Sequence, residues 1–380
     1  MAVPLLDLNQ QNGALEEELQ AAFHRVFRSG FFILGSEVEA FEAEVARATG
    51  AKHAIGVSSG TDALLLAMMA LEIGPGDEVI CPTFTFFATA GCIARTGAKP
   101  VFIDSEPTGF NLDSEALDSL ITPRTRAIMP VHLFGQMADM ATVMEVADRH
   151  GIPVIEDAAQ AIGAADHDRG VGNFGQFGAF SFFPSKNLGC LGDAGLLTCG
   201  DDKLAEKARV LRVHGMQPKY YHPWVGANFR IDALQAAFLR VKLPHLPDYQ
   251  AKRTENARHY LKAFAPLAEE GRLILPQVFE GKTHTWNQFT LLVPSGDDGG
   301  NRRDELKAHL QSKGIGCEIY YPLPLHQQQC FADLVGKNDR FPRAEALARG
   351  CLSLPVFPEL SPGQREEVVS AIHDFFRQVD

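Results

Sequence analysis

Short apolar segments alternate with amphipathic segments along the first two thirds of the chain. GSEVEAFEAEVARATG has the helical period and ends at Gly50. The strands predicted after it are HAIGVSS, DEVICP, KPVFID, RAIMPVHLF and IPVIEDAA, and the helices predicted between them are TDALLLAMMALEIG, FFATAGCIARTG, DSEALDSLI and ADMATVMEVADRHG. Short buried strands that alternate with helices predict an α/β fold with a mostly parallel central sheet flanked by helices.

The pattern becomes long and helical from RIDALQAAFLRVKL onward. Pro244 and Pro247 interrupt it and predict a kink or break there. We therefore expect a large domain at residues 1–245 and a smaller α+β domain at 246–380, and leave open whether the N-terminal segment packs on the smaller domain. In the latter, THTWNQFTLLV predicts a strand, RRDELKAHLQSKG and SPGQREEVVSAIHDFFRQV predict helices, and PSGDDGGNRRD predicts a solvated turn.

Composition and charge narrow the class of protein. The 380 residues carry a net charge of −12 and no compensating basic stretch, which argues against nucleic acid as the main partner. The start has no basic region ahead of an apolar one, and no apolar run is long enough to span a bilayer, so we expect neither a signal peptide nor a membrane partner. Seven cysteines without a CxxC pair predict a reducing cytoplasm and no metal site.

Polar and aromatic side chains follow several of the predicted strands. The segment SSGTD starts a helix, where free N–H groups suit a phosphate, although Ser, Thr and Asp are equally ordinary helix caps. Strand alternation sends Glu156 and Asp157 to opposite faces; each could meet a cation, cap a helix or form a structural ion pair. The segment PTFTFF offers Phe84, Phe86 and Phe87 for stacking on a flat ring or for ordinary core packing.

FSFFPSKNLGCLGDAG places a single lysine, Lys186, among apolar and glycine residues. Phe180, Phe182 and Phe183 predict a buried strand before it, and AGLLTCG predicts another after it. Lysine is rarely buried without a partner, so Lys186 either reaches water from a loop or is held inside for its amine. A phosphate cradle, a carboxylate, an aromatic platform and a lysine at strand ends together fit pyridoxal 5′-phosphate (PLP).

The chain resembles the DegT/StrS family of PLP-dependent sugar aminotransferases. The motifs that carry the resemblance are GFFILGSEVEAFE, SSGTDALLLA, PTFTFFATA, PVHLFGQMADM, IEDAAQAIGA, FSFFPSKNLG…GDAG, VGANFRIDALQAAFLRVKL and IYYPLPLH, which cover nearly the whole chain. The resemblance implies the aspartate-aminotransferase fold, known as fold type I. It also implies a homodimer in which each active site is built by two chains.

The resemblance implies a role for each matching residue. Lys186 would form the Schiff base and move the proton, and Asp157 would pair with the pyridine nitrogen. Gln160 would bond the phenolic oxygen of the ring, and Phe86 would stack on it. The residues implied at the phosphate are Gly60, Thr61, Asp62 and Ser181, with Asn228 from the neighbouring subunit.

The resemblance also implies a reaction and a class of substrate. L-glutamate would donate the amino group, and a nucleotide-linked keto-sugar would receive it. SKNLGCLGDAG is similar to members that act at carbon 3, on UDP-2-acetamido-3-keto-glucuronate or a dTDP-3-keto-6-deoxyhexose. Arg230 could meet a sugar carboxylate, a pyrophosphate or a structural partner, and Tyr321 and His326 match positions near the sugar. The product could enter lipopolysaccharide, another glycan or an antibiotic.

Two alternatives stay open at this point. One is another PLP reaction on the same fold, a sugar dehydration or lyase reaction, although the dehydratases of this family carry histidine where this chain has Lys186. The other is a non-catalytic, PLP-binding regulatory protein. His214 matches a family motif and is given no role, and Cys190 is expected to serve packing, since nothing pairs it with a base.

Overall fold

The computed structural model describes residues 2–295, 301–334, 336 and 339–378. The α-helices are α1 (Leu8–Ala14), α2 (Glu16–Ser29), α3 (Ser36–Thr49), α4 (Gly60–Ala70), α5 (Ala88–Arg95), α6 (Met140–His150), α7 (Asp202–Leu211), α8 (Ala233–Lys242), α9 (Leu246–Glu269), α10 (Arg302–Ser312), α11 (Pro342–Gly350) and α12 (Pro362–Gln378). The strands are β1 (His53–Val57), β2 (Glu78–Pro82), β3 (Lys99–Ile103), β4 (Thr125–Ile128), β5 (Ile155–Asp157), β6 (Ala165–Asp166), β7 (Arg169–Gly170), β8 (Phe177–Ser181), β9 (Gly195–Cys199), β10 (Phe289–Leu292) and β11 (Cys351–Leu354).

The central sheet has the order β1-β9-β8-β5-β4-β2-β3. Ladders join β1-β9-β8-β5 and β3-β2-β4, and the parallel bridges Ile128–Val154 and Val131–Asp157 connect the two groups. Each ladder is parallel except those of β9, which runs antiparallel to both β1 and β8. The predicted mostly parallel sheet is confirmed. The antiparallel strand arises because β8 connects directly to β9, and the connecting loop carries Lys186.

Of the predictions for individual helices and strands, one is confirmed and others differ from the structure in extent or helix type. The break at the two prolines is confirmed, because α8 ends at Lys242 and α9 begins only after a 3₁₀ turn. The strand predicted through Phe183 ends at Ser181: Phe182 is buried, whereas Phe183 is 52% exposed. THTWNQFTLLV is a strand only at β10, and DSEALDSLI forms a 3₁₀ helix at Ser114–Leu120. The centre of the predicted turn PSGDDGGNRRD lies outside the described residues.

Apolar side chains form three clusters around this framework. Two cover the faces of the central sheet, and the second of these also receives Phe341 and Cys351 from the C-terminal part of the chain. The third gathers α9, α10, β10, β11 and α12, and Val3 at the N-terminal end packs into it. The domain division at residue 245 stays a prediction. Among the described residues, no helix combines the length and apolar character needed to cross a membrane.

Candidate active site

A cavity of about 490 Å³ lies past the carboxyl ends of β1, β5 and β8. Ligands bind at this edge of an open α/β sheet because the loops there diverge and helix N-termini face the opening. Many predicted site residues share its wall. These are Gly60, Thr61, Phe86, Asp157, Gln160, Ser181, Lys186 and Tyr321.

The end of the cavity suited to phosphate is the start of α4. Ser59 caps this helix, and its Oγ accepts a hydrogen bond from the Asp62 backbone N–H at 3.1 Å. The Asp62 carboxylate accepts from Ser58 Oγ at 2.6 Å. A Cβ at Gly60 would lie 2.7 Å from the Ser181 Cβ, so only glycine lets the helix start approach β8. Capping, one of the two alternatives that the sequence left open, is therefore observed here, and phosphate binding at this helix end stays a prediction.

Asp157 is buried at the end of β5, with 5% of its surface exposed. Thr89 Oγ1 donates to Oδ2 at 2.8 Å, and the Ala159 N–H donates to Oδ1 at 3.2 Å. Burial raises the pKa of this carboxyl, although both hydrogen bonds and the nearby Lys186 oppose the rise. Within the described part of the chain no cation lies within 4 Å of the carboxylate, so it is prepared for a cationic ligand.

Lys186 follows the end of β8 and is half-buried on the wall of the same cavity. Burial lowers the pKa of its amine to about 8, and the charge of Asp157 limits that fall. The described residues give the amine no hydrogen bond or ion pair. A lysine that is neutral in part near pH 8 can act as a nucleophile and as a proton acceptor.

Gln160 and Tyr321 form the part of the wall next to Asp157. Gln160 Oε1 accepts from the Phe134 N–H at 2.7 Å, and Nε2 donates to the Tyr321 hydroxyl at 3.1 Å. These two bonds fix the amide and leave one N–H of Nε2 free for a ligand oxygen. Phe86 is 55% exposed, and its ring lies 6.0 Å from that of Tyr321.

Four of the predicted site residues do not line this cavity: Asp62, Asn228, Arg230 and His326. The His326 ring is buried, with Thr83 Oγ1 at 2.8 Å from Nδ1 and Glu345 Oε1 at 3.3 Å from Nε2. This arrangement ties the loop that carries Tyr321 to the end of β2, and it gives no support to direct contact between His326 and a sugar. Arg230 pairs in backbone register with Val57 beside β1. Asn228 is exposed two residues earlier.

Several residues on the cavity wall or behind it were missed by sequence analysis. Thr89, buried on α5, donates to Asp157 and also lies 3.3 Å from the Thr85 hydroxyl. The cavity wall further includes Thr85, Ser185, Gln288 and Tyr320. Thr85 and Thr89 lie inside the motif PTFTFFATA, Ser185 inside FSFFPSKNLG and Tyr320 inside IYYPLPLH, whereas Gln288 lies in none of the family motifs. Cys190, by contrast, is buried with a pKa raised by burial to about 11, as expected of a packing residue.

The donor set fits PLP on the geometry alone. It combines a buried carboxylate and an amine to which the described residues give no ion pair, a capped helix end narrowed by Gly60, and an exposed aromatic ring. Asp157 would hold the pyridinium, Lys186 would bind the carbonyl carbon, and the start of α4 with Ser181 would hold the phosphate. The volume of about 490 Å³ leaves space for a substrate as well.

Comparison with known proteins agrees with this assignment. Residues 14–373 match the DegT/DnrJ/EryC1/StrS aminotransferase family, and the chain belongs to that family. Its members are PLP-dependent enzymes, and PLP is the cofactor of this one. The fold is accordingly that of the fold type I PLP-dependent transferases, and the protein is an aminotransferase.

Individual relatives cover the chain from end to end. It is 48% identical to a "Pleiotropic regulatory protein" of Geobacillus stearothermophilus, over 99% of each chain. It is 45% identical to the UDP-N-acetyl-3-dehydro-alpha-D-glucosamine 3-aminotransferase of Acidithiobacillus ferrooxidans, over 99% of this chain and 98% of the relative. It is 43% identical to the dTDP-3-amino-3,4,6-trideoxy-alpha-D-glucose transaminase of Streptomyces venezuelae, over 100% and 97%. The crystal structure of S. venezuelae DesV with a ketimine intermediate covers all of both chains with a TM-score of 0.94 and 43% identity.

Proposed function

We propose that the protein transfers an amino group from L-glutamate to carbon 3 of a nucleotide-linked keto-sugar. One observation carries this proposal: Lys186 and Asp157 share the wall of a cavity large enough for a cofactor and a sugar. Bound PLP would supply an electron sink that stabilises negative charge on the carbon next to the transferred nitrogen.

Lys186, Asp157 and Gln160 would each have a separate role in this reaction. Lys186 would take a proton from the carbon that bears the amino group and return it on the cofactor side, because its lowered pKa leaves part of it neutral. Asp157 would keep the pyridine nitrogen protonated through a desolvated ion pair. Gln160, already fixed by Phe134 and Tyr321, would direct its free N–H at the phenolic oxygen.

The relatives support a sugar nucleotide as the acceptor. Two of them are named for amino groups at carbon 3, one of a UDP sugar and the other of a dTDP sugar. We take the substrate of this chain from the same class, with UDP-2-acetamido-3-keto-glucuronate and dTDP-3-keto-6-deoxyhexoses as the first candidates. The amino sugar formed would serve glycan synthesis such as that of lipopolysaccharide. Arg230 and Tyr321 are the side chains we assign to this substrate.

We further propose that the enzyme is a homodimer with shared active sites. Large apolar side chains are exposed around α2 and around residues 220–225: Phe27 is 61% exposed, Phe31 72% and Val225 90%. Monomeric proteins rarely expose such patches. Asn228 follows the second patch and is itself exposed, so pairing of two copies can bring it to the phosphate of the neighbouring site.

The division at residue 245 and a cytoplasmic location complete the proposal. The C-terminal apolar cluster, which gathers α9, α10 and α12 with β10 and β11, supports a separate smaller domain. All seven cysteines are free, as in proteins of reducing compartments.

Absorbance spectroscopy of the PLP-loaded enzyme tests the proposal. Excess L-glutamate should remove the visible band of the lysine-bound cofactor and yield 2-oxoglutarate in an amount equal to the active sites. Added 3-keto nucleotide sugar should restore the band and leave an aminated sugar. A band that glutamate leaves unchanged would contradict glutamate as donor. The same result is expected of a PLP-dependent lyase, or of a non-catalytic regulatory protein, which is the role that the name of the Geobacillus relative gives.

A further inference from the structure

Arg253 on α9 is a buried arginine to which the described part of the chain brings no carboxylate within ion-pair distance. Only 3% of the surface of this residue is exposed to solvent. Nη1 donates to the backbone carbonyls of Trp286 at 3.0 Å and Asn287 at 3.4 Å. Its Nε is buried and meets no acceptor among the described residues, although each N–H of a guanidinium is a hydrogen-bond donor. Such an arrangement costs stability unless an anion completes it.

The carboxyl group that acts on Arg253 from a distance is Glu359. It does not approach within ion-pair distance, and its Oε2 is itself buried without a partner in the described part of the chain. Burial lowers the pKa of Arg253 to about 10 and raises that of Glu359. The attraction between the two charges therefore does not offset the cost of removing each from water. The charge of Arg253 therefore remains available to a ligand.

Arg253 also lines a small cavity of about 60 Å³. Ser185, Gln288 and Tyr320 border this cavity and also border the active-site cavity. Ser185 is the residue immediately before Lys186. The small cavity therefore adjoins the active-site cavity that Lys186 lines, and its volume suits a carboxylate group but not a sugar ring.

We propose that Arg253 forms a carboxylate subsite of the active site and receives the α-carboxylate of the amino donor. In an amino acid this carboxylate is one bond from the carbon whose proton Lys186 removes, so a subsite next to Ser185 would hold that carbon near the lysine. The carboxylate carbon of a uronate sugar is three bonds from carbon 3, instead of one, and therefore fits this position less well. Guanidinium is the side chain best matched to a carboxylate, through two parallel hydrogen bonds.

The inference rests on the proposed function and is tested on the PLP-loaded enzyme. Substituting Arg253→Gln should raise the half-saturating concentration of L-glutamate about 10- to 100-fold, as expected for loss of hydrogen bonds to a charged group. The half-saturating concentration of the keto-sugar should change by less than about twofold. Arg253→Lys, which keeps a cation without the two-pronged geometry, should fall between wild type and Arg253→Gln.

A matched control is Arg365→Gln. Arg365 is likewise buried in the C-terminal part but pairs with Glu255 at 2.9 Å and lies on neither cavity. It should affect thermal stability and leave the response to glutamate unchanged. Glutarate, a dicarboxylate that cannot donate an amino group, should compete with L-glutamate on wild type and lose that effect in Arg253→Gln.

Every other outcome overturns either the assignment of Arg253 or the proposed donor. If Arg253→Gln is folded and saturates with glutamate as wild type does, Arg253 is purely structural. If it weakens only a uronate sugar, the subsite belongs to the acceptor. If wild type binds glutarate at a site that depends on Arg253 but glutamate transfers no amino group, the proposed donor fails while the carboxylate subsite stands. If glutarate does not bind wild type, the subsite itself fails.

Discussion

Glu156 and Asp157 are consecutive residues of β5, yet their carboxylates lie on opposite faces of the sheet and meet different partners. Glu156 accepts hydrogen bonds from the backbone N–H groups of Gly172, Phe174 and Gly175 and from the His132 ring, and it is completely buried. Asp157 faces the cavity and accepts from Thr89. Strand alternation thus assigns one carboxylate to structure and its neighbour to chemistry.

The two amide substitutions should therefore have opposite effects. Asp157→Asn should weaken PLP binding at least about tenfold, because the charge that pairs with the pyridinium is removed. Glu156→Gln should leave PLP binding nearly unchanged and lower the free energy of unfolding by roughly 1.5–3 kcal/mol, because charge-assisted bonds are lost. PLP titration and urea unfolding of both variants measure this, and equal effects on both quantities would contradict the assignment.

Substitution of Lys186 by alanine should remove both nucleophile and base. We expect the rate of the glutamate half-reaction to fall at least about 10³-fold, with PLP still retained by the remaining contacts. Stopped-flow absorbance and 2-oxoglutarate assays provide the measurement. Lys203→Ala, at an exposed position on α7, is the control and should behave as wild type. Activity of the Lys186 variant within tenfold of wild type would reject its role.

The pKa of Lys186 predicts how PLP attachment to the cofactor-free protein depends on pH. The amine attacks only when neutral, so the rate should rise about tenfold per pH unit below pH 8 and level off above it. An amine at the ordinary lysine value would keep accelerating beyond pH 10. Because the charge of Asp157 raises the pKa of Lys186, Asp157→Asn should move the plateau to lower pH. A plateau that stays at the same pH would show that the two groups do not interact.

Thr89 should determine how firmly Asp157 stays ionised. Thr89→Val keeps the shape and removes the 2.8 Å donor, so the pKa of Asp157 should rise further and PLP should bind about 10- to 100-fold more weakly. Since a raised pKa costs the carboxylate its charge as pH falls, the defect should grow toward acidic pH. Thr89→Ser should restore binding. A defect that is independent of pH would indicate packing alone.

The shared-site proposal predicts complementation between two inactive variants. Asn228→Ala should weaken the phosphate site of the partner subunit, and Lys186→Ala inactivates its own site. Unfolding and refolding the two variants together should restore about a quarter of wild-type activity, since half of the dimers carry one intact site of two. Activity no greater than that of the unmixed variants would place Asn228 within its own subunit, and light scattering checks that dimers form.

The sequence by itself determined the framework and the chemistry at the strand ends. Periodicity identified the strands of the parallel sheet, Pro244 and Pro247 identified the break between α8 and α9, and alternation separated Glu156 from Asp157. These features depend on backbone geometry and local pattern, which a sequence carries directly.

Tertiary structure decided which residues meet. Thr89 reaches Asp157 across 68 residues, and His326 reaches Thr83 across 243, so no local pattern could assign either contact. The loop ending at Gly195 turns β9 antiparallel and leaves Lys186 at the cavity. Arg253 lies in none of the sequence motifs. It stands out because it is buried without a carboxylate partner among the described residues, and burial depends on all of its neighbours in the folded chain.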